Sequence, residues 1–230
     1  ALLTSMPTKA QKADTLWYNK PAKQWVEALP IGNGRLGAMV FGGIHEELLQ
    51  LNESSLYSGG PMPASINPGV YQYLPEIRKA LMTEGDHTKA ELLTQKLQGP
   101  YTESYLPLGD LRIRQAFGPG EPSAYYRELN LENAIATTRF KVGNVAYARE
   151  VFISAPDNVL VLRFSSSKAG GLDLSLDLTS PLRATTSAAS LQQVMTGKAP
   201  AHVDPSYYNP PGREHVIYSD TTGCKGMRFQ

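Results

Sequence analysis

Over most of the second half of the chain, apolar and polar residues alternate with a period of two, the pattern of strands that turn one face to a core. Leu172-Asp173-Leu174-Ser175-Leu176-Asp177-Leu178 alternates without a break and predicts a strand with one buried and one aqueous face. Leu111, Ile113 and Phe117 oppose Arg112 and Arg114, and Leu129 and Leu131 alternate with Asn130. Further strands are expected over Arg149–Ile153 and Val159–Phe164. The sharpest local signal is Phe140, Val142, Gly143-Asn144, Val145 and Tyr147. A two-residue Gly-Asn loop there pairs Val142 with Val145 and Phe140 with Tyr147. Residues 181–190 and 200–213 read as loops, the second rich in proline, tyrosine and histidine.

The first half is organised around the run from Leu16 to Gly60, which holds both tryptophans. Gly32-Asn33-Gly34-Arg35-Leu36-Gly37 spells the glycine pattern of dinucleotide-binding turns, but Pro30 precedes it and Gly42-Gly43 halts the short apolar run after it. The better reading is a turn at 32–34 feeding a central strand over Arg35–Phe41, covered on both faces. Gly42-Gly43 suits a two-residue hairpin loop, and Ile44–Leu51 fits a strand better than a helix. One helical region comes next. Pro75 suits a first helical turn, with Ile77, Ala80 and Leu81 on one face and Gly85 as the stop. Asp86 caps a second helix whose stripe is Ala90, Leu93 and Leu97, ended by Gly99-Pro100. The helical pair reads as an insertion covering part of a sheet.

Many short strands and one helical insertion predict a mainly β fold, a large antiparallel β-sandwich of supersandwich type. Residues 1–15, small and polar, are expected as a loose arm, and 16–230 as one domain. The last residues look like the middle of a strand, so a C-terminal truncation is expected. At 41% apolar residues the chain can bury a sizeable core. A formal net charge of +1 without a basic cluster argues against nucleic acid as a partner. No apolar run approaches the roughly 20 residues of a membrane helix. The single cysteine, Cys224, excludes an intrachain disulfide.

Several polar residues are candidates for chemistry. Glu46 and Glu47 point to opposite faces of a strand and read as a surface pair. Asp173 and Asp177 belong to the aqueous face of their strand. The four histidines show no spacing that repeats a metal-ligand pattern; His202-x-Asp204 is the nearest approach, and Pro200 and Pro205 place it in a loop. No cofactor or metal is expected. Asn52-Glu53 ends an apolar strand, where it either caps a turn through Ser54-Ser55 or points into a groove. Trp17, Trp25, Tyr57, Tyr105, Tyr207 and Tyr208 are possible sugar platforms, weighed against ordinary packing.

Trp25-x-x-Ala28-Leu29-Pro30-Ile31-Gly32-Asn33-Gly34-Arg35-Leu36-Gly37-Ala38-Met39-Val40-Phe41-Gly42-Gly43, followed by Leu51-Asn52-Glu53 and Tyr57-Ser58-Gly59-Gly60-Pro61, resembles the opening of glycoside hydrolase family 95. The likeness continues through Tyr105-Leu106-Pro107-Leu108-Gly109-Asp110-Leu111, Arg149-Glu150-Val151-Phe152-Ile153-Ser154, Gly197-Lys198-Ala199-Pro200-Ala201-His202 and Lys225-Gly226-Met227-Arg228-Phe229. It covers nearly the whole chain but only that family's N-terminal β-domain. The resemblance implies an exported bacterial enzyme, periplasmic or secreted, and an inverting α-L-fucosidase acting on terminal fucosyl or related glycans. Its acid and base would lie in a following helical barrel absent from this chain, so no catalytic residue is expected here. Groove-edge or domain-interface roles fall to Trp25, Asn33, Arg35, Asn52, Glu53 and Tyr57. Of these, Asn33, Arg35, Asn52 and Glu53 are expected on one rim, exposed to water and less satisfied in this chain than in the whole enzyme. Two alternatives stand beside this reading: an independent carbohydrate-binding module, and a structural or oligomerisation β-domain.

Overall fold

The computed structural model describes residues 14–60, 67–99, 102–208, 211–212, 214–219 and 226–230. The loose arm expected over 1–15 falls mostly outside these residues, but Thr15 already belongs to a strand. The chain divides into two compact units, one of residues 1–56, 106–198 and 228–230, the other of 57–105 and 199–227.

The first unit is a β-sandwich. One five-stranded antiparallel sheet has the order β1-β6-β7-β8-β9, made of Thr15–Tyr18, Pro122–Asn130, Ile135–Val142, Val145–Ser154 and Val159–Ser166. The other runs β10-β5-β4-β3-β2, made of Leu174–Thr179, Gly109–Gln115, Glu46–Glu53, Leu36–Val40 and Leu29–Gly32. A smaller sheet joins β11 (Arg183–Ala189), β12 (Gln192–Lys198) and β15 (Arg228–Phe229). The core forms where the two large sheets supply inward residues to one cluster. Leu29, Ile31, Ala38, Val40, Leu49 and Ile113 come from one sheet, and Leu129, Ala136 and Val151 from the other. Each large apolar side chain buried this way contributes roughly 1.5–3 kcal/mol.

Register explains which expectations hold. Val142 pairs with Val145 and Phe140 with Tyr147 across the Gly143-Asn144 turn, where Gly143 has a φ of 56°. The strand read as Arg149–Ile153 is the far half of β8, continuous with that hairpin. The dinucleotide reading stays excluded, because Gly32 and Gly37 face each other across a hairpin whose turn carries Gly34 at φ 90°.

Other readings need correction. Leu29–Gly32 is a strand despite Pro30; β2 is a sheet edge, so the missing amide costs no ladder bond, and Leu29 and Ile31 turn inward. β3 is therefore interior but not central, and its outer residue Met39 is only half-buried. Residues 181–190 are not a loop, since β11 pairs along its whole length with β12. Leu176 is 56% exposed because β10 is also an edge strand. Leu131 lies beyond the end of β6 and is exposed.

The link between β3 and β4 runs over residues 41–45 rather than a two-residue loop, and its cause is a buried polar knot. Glu47, expected on the surface, is 1% exposed, and Arg149 is 2% exposed. Arg149 Nη1 donates to the Gly43 carbonyl and lies 3.5 Å from Glu47 Oε2. Its Nη2 donates to the Ile44 carbonyl at 2.6 Å and to Gln115 Oε1 at 2.9 Å. Glu47 Oε1 accepts the Gly42 amide at 2.7 Å, while Tyr125 donates its hydroxyl to the Gly42 carbonyl at 2.6 Å. The loop thus folds inward because its carbonyls solvate a buried guanidinium. Gly42 has a φ of 73°, and a Cβ there would sit 2.6 Å from the Tyr125 oxygen. Burial pushes the Glu47 carboxyl up against the opposing pull of Arg149, and burial also pushes the Tyr125 phenol up.

The second unit holds the helices α1 (Leu74–Lys79) and α2 (His87–Gln95) and the short pair β13 (His202–Val203) and β14 (Val216–Ile217). Pro75 lies in the first turn of α1, and Gly85 adopts the left-handed conformation after a π-helical turn over Ala80–Glu84. Asp86 accepts the Lys89 amide at 2.9 Å, the expected N-cap. Ile77, Ala80, Ala90 and Leu93 are buried, whereas Leu81 is exposed. No helix among the described residues is long and apolar enough to cross a membrane.

Candidate functional site

In the first unit, the turn between β2 and β3 and the end of β4 bring four of the expected rim residues together. Gly37 pairs with Asn52 and Leu36 with Glu53, so the strand ladder itself sets their spacing. Arg35 Nε lies 3.0 Å from Glu53 Oε1. The other Glu53 oxygen accepts the Ser55 hydroxyl at 2.6 Å and the Ser55 amide at 2.8 Å. The Ser55 hydroxyl foremost holds the Glu53 carboxyl below its ordinary value; burial, the next largest effect, opposes it, and the Ser55 amide and Arg35 add to the lowering. Of the two readings of Asn52-Glu53, the contacts within this chain are those of the turn cap through Ser55, with the Arg35 pair beside it at the strand end.

Asn33, Arg35 and Glu53 each have partners within this chain. Asn33 Oδ1 accepts the amides of Arg35 and Leu36 at 2.9 and 2.8 Å, closing the turn as an Asx cap. Its Nδ2 donates to the Ser154 carbonyl and to Asn158 Oδ1, each at 3.0 Å, tying the turn to the β8–β9 connection. Asn33 is thus a structural tie. Arg35, 68% exposed at its side chain, is the group of this rim most open to water. Asn52 is half-buried. Trp25 stands apart. It opens the 3-10 turn Trp25–Glu27 that enters β2 from the end away from the Asn33 turn, and it is 57% exposed.

Tyr57 belongs to the second unit, where its ring tilts against Tyr105 at 5.2 Å between centroids. A backbone bridge joins the same two residues. Beside them runs a chain of polar groups that links three segments. Ser58 donates its hydroxyl to Glu103 Oε2 at 2.6 Å. Glu103 Oε1 lies 3.3 Å from His202 Nδ1, and His202 Nε2 lies 2.9 Å from Asp204 Oδ1. The remaining Asp204 oxygen is 3.6 Å from His215 Nδ1. Asp204 is buried and Glu103 nearly so, with side chains 2% and 13% exposed. Asp204 foremost, then Glu103, raise the His202 pKa above its ordinary value, against an opposing effect of burial.

The backbone fixes this chain firmly. Ser58 N–H donates to the Ser104 carbonyl at 2.9 Å, Gly59 N–H to the Pro200 carbonyl at 2.9 Å, and Gly226 N–H to the Gly59 carbonyl at 2.8 Å. His202 and Asp204 are visible in the sequence as a spaced pair, and the structure places them in a carboxylate–imidazole relay. Ser58 falls in the Tyr57–Pro61 motif, but nothing in the sequence links it to Glu103, 45 residues away.

A match to the family described as glycosyl hydrolase family 65, N-terminal domain, covers residues 16–229. The chain belongs to that family. As a family 65 N-terminal domain it is 32% identical over 219 residues to α-L-fucosidase 2 of Arabidopsis thaliana, an alignment that takes in 93% of this chain and 25% of that protein. It is 35% identical over 181 residues to a probable α-fucosidase A of Aspergillus niger, covering 74% of the chain and 22% of the relative. A probable α-fucosidase A of Aspergillus oryzae is 31% identical over 166 residues, or 67% of the chain and 22% of the relative. The chain thus spans about a quarter of the length of the curated relatives it matches. The family 95-like N-terminal domain expected from the motifs is what the family match and these relatives support.

Proposed function

We propose that this domain is the non-catalytic N-terminal part of an α-L-fucosidase-like glycoside hydrolase acting on terminal fucosyl glycans. The observation that carries the reading is the alignment of 93% of the chain with a protein named α-L-fucosidase 2. In this reading the acid and base of an inverting hydrolysis belong to a C-terminal catalytic domain, and the β-domain supplies a rigid edge to its groove. Arg35 and Glu53 suit that role because they sit at strand ends, where a sheet holds side chains within narrow limits, and Arg35 is open to solvent. The relatives are plant and fungal, so a bacterial source and a periplasmic or secreted location remain parts of the proposal drawn from the motifs alone. The test is hydrolysis by the full-length protein of matched fucosyl and galactosyl oligosaccharides, with the anomer of the released sugar followed by proton NMR. Fucose released first as the inverted anomer is the expected result. Glycan binding without cleavage of any member of the panel refutes the enzyme reading.

One observation favours the independent carbohydrate-binding module as the second reading. Trp17, 46% exposed, stacks near-parallel to Tyr126 with centroids 6.1 Å apart. Flat apolar rings of this kind accept the C–H face of a sugar. Saturable binding of glycans by this chain that is lost in Trp17→Ala would support it.

A further inference from the structure

The Ser58–Glu103–His202–Asp204 relay borders a concavity of about 430 Å³ in the second unit, lined by Tyr57, Ser58, Gly59, Gly60, Thr102, Glu103 and Met227. That volume lies within the roughly 300–1,000 Å³ of small-molecule sites. Its exposed lining is mostly apolar, set by the Tyr57 ring and the Met227 thioether, and the Glu103 carboxylate and the Ser58, Thr102 and Tyr57 hydroxyls belong to the same lining residues. Tyr57 is 44% exposed, and its contact with Tyr105 limits the motion of the ring. Glu103 is over-determined: Ser58 holds one oxygen, His202 faces the other, and Gly59 makes room for it. A Cβ at Gly59 would lie 2.5 Å from the Glu103 carboxyl carbon, and the φ of +73° there independently favours glycine. A turn shaped this closely around one carboxylate fixes that carboxylate in the wall of a cavity.

We propose that Tyr57, Ser58 and Glu103 form a subsite for one pyranose ring of a neutral glycan, with the Tyr57 ring as stacking face and Glu103 as hydroxyl acceptor. A carboxylate offers about four acceptor positions over its two oxygens, so the bonds already made leave capacity for ring hydroxyls. An ionised acceptor strengthens such bonds and selects hydroxyl donors over anionic sugars. Ser58 and His202 act as positioning residues that aim the carboxylate. The inference deepens the glycoside hydrolase reading and rests on it for the ligand class; no residue of the subsite carries the cleavage.

The test uses the full-length protein and lactose bearing a terminal α-L-fucose, with steady-state kinetics, melting temperature and saturation-transfer NMR. Tyr57→Ala and Glu103→Gln are each expected to raise KM about tenfold, as loss of one stacking or charge-assisted contact does, with kcat little changed. Saturation transfer to the sugar protons should weaken in parallel. Should Glu103→Gln lower the melting temperature, Tyr57→Ala, on a half-exposed side chain, decides alone. Unchanged KM and saturation transfer in a normally melting Tyr57→Ala protein overturn the subsite, as does a fall in kcat alone. If the wild-type protein cleaves no fucoside but shows saturation transfer that Tyr57→Ala abolishes, the enzyme reading fails while the subsite stands.

Discussion

His202 is the residue whose charge the fold governs most visibly, because both ring nitrogens face carboxylates and Asp204 is buried. Its folded pKa lies above its ordinary value of 6.5, so the folded state binds the proton more tightly than the unfolded one. The stabilisation is complete below about pH 6.5 and is lost as pH rises through the folded pKa. A melting series from mildly acid to mildly alkaline pH should show wild type losing its advantage over His202→Gln as the imidazole deprotonates. Parallel profiles would contradict the relay. Glu53 behaves in the opposite sense. Its depressed pKa gives stabilisation that holds above the unfolded value and fades as pH falls through the folded one. Its ion pair with the mostly exposed Arg35 is itself worth only about 0–1 kcal/mol. The rim pair is thus a weak contributor to stability.

At the scale of elements, the knot between β4 and β8 ties the two sheets through Glu47 and Arg149. Breaking a buried ion pair from one side leaves an uncompensated charge, at a cost of about 3–5 kcal/mol. Glu47→Leu and Arg149→Leu are each expected to lose about that much in denaturant unfolding, and the double variant about 1–3 kcal/mol less than the sum. Strictly additive losses would show that the two side chains do not stabilise one another. The double variant still strands the carbonyls of Gly43 and Ile44, so it should not return to wild type.

The same knot marks where the sequence stops being legible. The 143–144 hairpin can be read because its turn and cross-strand pairs are neighbours in the chain, and the caps at Asp86 and Gly85 for the same reason. Glu47 reads as a surface residue because its partner is 102 residues away, and alternation cannot distinguish an outer face from a polar core. β11 is illegible for another reason. Arg-Ala-Thr-Thr-Ser-Ala-Ala is exposed at nearly every position, so backbone pairing with β12 makes the strand without an apolar stripe. For β2 the Leu29 and Ile31 alternation is present, but Pro30 argues against it, and only the edge position in the sheet resolves the conflict.

For the molecule as a whole, the two units carry different parts of the account. The sandwich unit presents the Arg35–Glu53 rim on a rigid sheet end. The unit of residues 57–105 and 199–227 builds the Tyr57–Glu103 concavity from three separate segments. The rim pairs Glu53 with an arginine, and the relay joins Glu103 and Asp204 through a single imidazole. Sequence motifs make the family likeness legible in advance, whereas the relay depends on folding distant segments together. On the proposed reading this chain shapes and binds while a further domain cleaves. The most direct test is the turnover of one terminal α-L-fucoside, measured at equal molar concentration for the 230-residue chain and for the full-length protein. Fucose release by the full-length protein, with none above the uncatalysed rate by the chain, is the expected result, whereas turnover by the chain alone, or none by either, overturns that reading.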